Sequence, residues 1–135
     1  MNIIKLTVIY TILLIMIIAM VNRGGYSVMN FITQFVHSIP YGDKVGHFLL
    51  MGFLSFMVNL SFKGKKFKLF YLSILIGSFL VCIVVTLEEF SQIFVLARTF
   101  DLGDLLFDYL GIFLFGQLAW YLSRQKLKLE EINHS

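Results

Sequence analysis

Three short stretches hold nearly all the side chains able to do chemistry. DKVGHF, 43–48, offers Asp43, Lys44 and His47. TLEEFSQ, 86–92, offers Glu88, Glu89 and Gln92. RTFDLGDLLFDYLG, 98–111, offers Arg98, Asp101, Asp104 and Asp108. On a helix, Asp43 and His47 share a face at i and i+4, as do Asp104 and Asp108. Crowded carboxylates repel one another, which suits general acid–base work. Glu89 and Asp104 are the candidate bases, His47 is a candidate acid or ligand, and Asp108 is the deepest candidate. Lys44 and Arg98 could hold a phosphate, the arginine bidentately. Asp43, Gln92 and Asp101 complete the candidate binding set. Carboxylates with a histidine also suit a divalent cation such as Mg²⁺ or Mn²⁺. No dense ligand motif such as HExxH is present, so no metal set is assigned. A purely structural role is the alternative: buried charges need partners, and these side chains could simply pair between helices.

The surrounding chain is made for lipid. Of its 135 residues 59 % are hydrophobic and only 14 % charged, against about 25 % charged in a soluble domain. Mean hydropathy is +0.86. The excess is concentrated in continuous runs, each near the roughly 20 residues that cross a bilayer as a helix. Strand-like alternation is absent from them, which argues against a barrel. The expected fold is all-α: a polytopic membrane four-helix bundle forming a single domain over 1–135, with spans at about 6–21, 45–62, 69–89 and 104–122. The first run resembles a signal peptide, but no small-x-small site follows it, so it is read as a retained span. Between the first two spans, Val28, Phe31, Ile32, Phe35, Val36 and Ile39 recur at helical spacing. This predicts a short interfacial amphipathic helix at about 28–38, with Asn30, Thr33, Gln34 and His37 on its solvated face. The lone cysteine, Cys82, lies inside an apolar run and reads as a small buried hydrophobe.

Basic residues orient the spans. Lys5, the KGKKFK loop at 63–68, Arg124, Lys126 and Lys128 fall on one side, while Arg23, Lys44 and Arg98 fall on the other. The positive-inside rule then puts both termini and KGKKFK in the cytoplasm, in a multi-pass protein of the cell membrane. KGKKFK is expected to touch anionic lipid head groups, not nucleic acid. Asp43, Glu88, Glu89, Asp101, Asp104 and Asp108 all belong to the outer half. Acidic residues contribute little to topology, so this sidedness needs another cause. A charge at bilayer depth costs about 2.5–3.5 kcal/mol even on the lenient scale. Glu89 and Asp108 must therefore face protein or a wet cavity. Thr86, Cys82, Ser78 and Gly111 are the small residues that let helices close around them. The expectation is an outward-facing polar bowl. Polar groups thin out toward the other side, which argues against a channel.

DKVGHF, EFSQ at 89–92 and RTFDLGDLLFDYLG together resemble the VanZ-like family of small bacterial membrane proteins. That family's pattern has Asp-Lys before His-Phe, then Glu-x-x-Gln, an arginine, and Asp-x-x-x-Asn-x-x-Gly opening the last span. Asp43, Lys44, His47, Phe48, Glu89, Gln92, Arg98, Asp104 and Gly111 occupy the matching places, over roughly 43–116. Asp108 departs from the pattern, standing where the family usually has asparagine. The resemblance implies a four-span fold, a place in the cell envelope and a link to low-level teicoplanin resistance. It chooses no reaction. The partners expected from sequence are the lipid bilayer and a lipid-linked envelope ligand such as a polyprenyl phosphate. Enzymatic activity, cofactor and oligomeric state stay open.

Overall fold

The computed structural model describes residues 2–23, 27–94 and 100–134. Helix α1 (Ile3–Arg23) is followed by the short α2 (Ser27–Ser38) and by α3 (Gly42–Ser61). A two-stranded antiparallel hairpin, β1 (Lys66–Leu69) and β2 (Leu72–Leu75), leads into α4 (Ile76–Ser91), which ends in a 3₁₀ turn over Gln92–Phe94. The last element, α5, runs from Leu102 to His134. Four of these helices, α1, α3, α4 and α5, are long and apolar enough to cross a membrane. The expected short helix between the first two spans is α2. It stops at Ser38, just before the Ile39–Pro40 pair, because the proline ring disfavours helical backbone in the residue before it.

Two expectations need correction. The chain is not wholly α-helical, and the third span does not begin at 69. Residues 69–75 are apolar, but they lie in the hairpin, where Lys66 pairs with Leu75 and Leu69 with Leu72. Lys63 and Gly64 take left-handed backbone conformations that turn the chain out of α3. Hydropathy scores an apolar strand and an apolar helix alike, so the run gave no warning of the hairpin. The fourth span also extends past 122. At about 1.5 Å per residue, a helix of 33 residues reaches near 50 Å, well beyond a hydrocarbon core of about 30 Å. The basic segment after Trp120 is thus a helical projection of α5.

Helices α3 and α5 are the central pair, with α1 and α4 packed against them. Leu14, Met51, Leu54, Val81, Val85, Leu105 and Ile112 form the buried cluster between the four spans. Close approach is possible because glycines occupy the crossing. A Cβ on Gly111 would run into the Phe48 carbonyl oxygen, and one on Gly52 would meet the Phe115 ring. Toward the hairpin end, Ser55 Oγ donates to the Ile112 carbonyl at 3.0 Å, and Asn59 Nδ2 donates to Ser78 Oγ at 2.9 Å. This polar knot ties α3, α4 and α5 together, as small and amide-bearing residues do between helices in lipid. Tyr10 OH, donating to the Leu50 carbonyl at 2.9 Å, fastens α1 to α3.

Candidate functional site

The site lies where α3 and α5 begin and α4 ends. Asp101 opens α5 as its cap: its Oδ1 accepts the Gly103 amide at 2.6 Å, one of the orphan donors of a first helical turn. That fixed start sets the rotation of α5. Asp104 and Asp108 then follow on one face, about 6 Å apart along the axis. From α3, Lys44 Nζ reaches across to both Asp101 Oδ2 at 3.1 Å and Asp104 Oδ1 at 3.0 Å. One turn deeper, His47 Nδ1 sits 3.1 Å from Asp108 Oδ1, and His47 Nε2 sits 3.7 Å from Asp104 Oδ2. From α4, Glu89 accepts the Asp101 amide at 3.0 Å and Gln92 Nε2 at 3.0 Å. Gln92 Nε2 also lies 3.1 Å from Glu88 Oε2. The result is a continuous network across three helices.

Glu89, Gln92, Asp104 and Asp108 are buried, Glu89 and Asp108 to within 1 %. The two deepest acids therefore face protein, as their cost in lipid demands. Asp43, Lys44, His47, Glu89, Gln92, Asp101, Asp104 and Asp108 all belong to this one region. Arg98 falls in 95–99, outside the described residues. The Lys44 ammonium is shared between the carboxylates of Asp101 and Asp104. Thr86, expected to face the cluster as a small residue, hydrogen-bonds the Tyr109 hydroxyl at 2.6 Å.

Asp43, His47 and Asp104 each present one ligand atom within 4.8 Å of the others. Two carboxylates and an imidazole suit Mn²⁺ or Zn²⁺ better than Mg²⁺, which prefers all-oxygen surroundings. The chemistry available without any ion is hydrogen-bond acceptance by carboxylates and proton exchange at His47, whose ring is steered by Asp108.

Beside the network, under α2, lies a cavity of about 200 Å³. Leu14, Ile17 and Ile18 of α1 and Ile32 and Val36 of α2 form its apolar part. Asp43, His47 and Glu88 form its polar end. Gly46 is in its wall, and a Cβ there would meet no atom within 4 Å. His37 also lines it while remaining exposed, in keeping with the solvated face predicted for it. Sequence reading missed this cavity. Its wall comes from helices that share no motif, and the one local signal was a glycine beside His47.

Asp101 stands outside the spans and responds to pH. The Gly103 amide, then the Lys44 ammonium, hold its carboxyl below the usual carboxylate range. A lowered folded pKa means that the stabilisation is complete above the ordinary value and fades as pH falls through the lowered one. The stability gap between the wild type and Asp101→Asn is therefore expected to stay level from neutral pH down to about 4. It should then close in stronger acid. Urea unfolding in micelles across that range measures it, and a gap that widens in acid contradicts the assignment.

No family model, curated protein or solved structure matches the chain.

Proposed function

We propose that the chain is a VanZ-like protein of the cell membrane that binds a lipid-anchored envelope molecule, seating its chain in the cavity under α2 and its head group at the carboxylate–histidine network. The observation carrying this reading is the two-ended cavity, apolar against Leu14, Ile17 and Ile18 of α1 and Ile32 and Val36 of α2, and polar at Asp43, His47 and Glu88. An amphiphile has the same polarity profile. The basic residues of the hairpin and of the end of α5 favour the cytoplasmic side for that end by the positive-inside rule, and the network then faces outward.

The charge balance selects the head group. Asp43, Glu88, Glu89, Asp101, Asp104 and Asp108 gather there, and Lys44 is already engaged by two of them. Hydroxyl, amide or amine donors, as on a glycan or peptide head group, complement such an acceptor-rich site. A lipid phosphate is the second reading. It rests on Lys44, which would have to exchange one carboxylate for the phosphate, with Arg98 as the further cation implied by sequence. In either case Asp43, His47 and Glu88, which line the cavity, engage the ligand, and Asp108 positions His47. A glycan- or peptide-bearing ligand accords with the family's link to teicoplanin resistance.

Native mass spectrometry of the full chain, released from membranes in nanodiscs, tests the proposal. The wild type is expected to retain an amphiphile that His47→Ala loses while staying monodisperse. If both proteins carry the same bulk lipids, the network serves only to hold the helices together.

A further inference from the structure

The hairpin carries an unusual tip. Its two-residue turn is Phe70-Tyr71, and such turns favour Asn, Asp or Gly because they need positive φ. Phe70 adopts φ 54°, a rare conformation for a bulky side chain. Its ring is nonetheless 91 % exposed, Tyr71 is fully exposed, and Leu69 and Leu72 beside them are exposed as well. In water this arrangement loses twice, through backbone strain and through bare aromatic surface. The root of the hairpin, by contrast, is fixed. Phe67 packs edge-on against Phe79 of α4 with centroids 5.3 Å apart, and Lys66 Nζ lies 3.7 Å above the Trp120 ring of α5. Arg124 approaches the same ring at 5.2 Å.

Around the exposed tip the charge has one sign. Lys63, Lys65, Lys66 and Lys68 lie within or next to β1, and the hairpin itself has no acidic residue. It also joins two spans directly, α3 ending at Ser61 and α4 beginning at Ile76. A strand of four residues reaches only about 13 Å, so the tip stays close to the membrane face. Aromatic rings with flanking lysines are the composition favoured at head-group depth, and anionic lipid supplies the complementary charge.

We propose that the 66–75 hairpin is an interfacial anchor that lays its Phe70–Tyr71 tip among the head groups of an anionic leaflet, with Lys63, Lys65 and Lys68 neutralising lipid phosphates. The anchor holds α3, α4 and Trp120 of α5 at a set depth. It is independent of what the cavity on the far side binds.

The test uses the full chain with Cys82→Ser and Ser73→Cys, labelled at position 73 with an environment-sensitive dye. The protein is reconstituted into vesicles of phosphatidylcholine alone or mixed with phosphatidylglycerol. In the anionic vesicles the label is expected to be shielded from the neutral aqueous quencher acrylamide and quenched by lipids brominated near the head group. Lys65→Glu with Lys68→Glu should raise acrylamide quenching roughly fivefold. Phe70→Asn with Tyr71→Gly keeps a favourable hairpin turn and removes both rings. It should expose the label even in anionic vesicles. The proposal is overturned if the wild-type label is equally open to acrylamide in both vesicle types, or if the ring-less turn stays as shielded as the wild type. The wild-type comparison decides the matter even if a variant fails to incorporate.

Discussion

Gly46→Leu is expected to empty the cavity of its ligand while leaving the protein as stable as before, or more so. Gly46 sits in the cavity wall on α3, one residue before His47. A Cβ at that position meets nothing within 4 Å, so the first atom of a new side chain enters open space. The rest of a leucine side chain then fills much of a cavity of about 200 Å³. Glycine inside a helix costs about 0.5–1 kcal/mol relative to alanine, so the backbone gains from the change. The leucine also buries apolar surface against Leu14 and Ile18, which line the same space. Ligand retention should fall by about tenfold or more, which is 1.4 kcal/mol or more of lost binding, while the melting temperature holds or rises. Gly46→Ala, with a single methyl, should retain most of the ligand. This pair separates the readings of the site cleanly. A network that only braces helices is indifferent to a plugged cavity, so an unaltered ligand complement in the leucine variant removes the cavity from the function.

Much of this architecture could be read in the sequence, and the reasons differ by element. The helices α1, α3 and α5 follow from hydropathy, because each continuous apolar run is near bilayer length. The meeting of His47 with Asp108 was foreshadowed by helical spacing and by the cost of a carboxylate in lipid. An acid that deep needs a partner, and few polar side chains were on offer. The hairpin was hidden because Leu69, Phe70, Tyr71 and Leu72 satisfy a hydropathy window as well as a strand pattern. Lys44 was placed in the right cluster, where pairing with carboxylates was one reading. Which carboxylates it meets, Asp101 and Asp104, depends on where α5 begins and how it is turned. The cavity is a property of the tertiary arrangement alone. Ile17 and Ile18 of α1 come to line one space with His47 and Glu88 only when separate helices pack.

Gly111→Ala is expected to be far more damaging than Gly52→Ala at the same α3–α5 crossing. Gly111 of α5 lies directly against the Phe48 carbonyl oxygen of α3, so an added Cβ would overlap a backbone atom. At Gly52 the intruding Cβ meets the Phe115 ring, which can rotate aside. A helical carbonyl has no such freedom, so the helices themselves must separate. Overpacking of this kind costs roughly 1–3 kcal/mol, and a backbone clash belongs at or above the upper end. The loss should not stay local. Phe48 follows His47 in α3, and Gly111 lies one turn beyond Asp108 in α5, so the clash sits beside the His47–Asp108 bond. Separating the helices by even 1 Å stretches His47–Asp108 from 3.1 Å toward a distance at which the hydrogen bond is gone. Asp108 is then left buried without its partner, and a buried polar group stripped of its hydrogen bond costs roughly 1–3 kcal/mol. The two costs compound because the same displacement causes both. Unfolding in mixed micelles should therefore show a larger loss for Gly111→Ala than for Gly52→Ala. Pairing Gly111→Ala with Asp108→Asn should recover part of the difference, because the amide can remain buried without a charge to neutralise. Equal losses at Gly52 and Gly111, or no recovery in the double variant, would mean that the α3–α5 crossing does not govern the polar network.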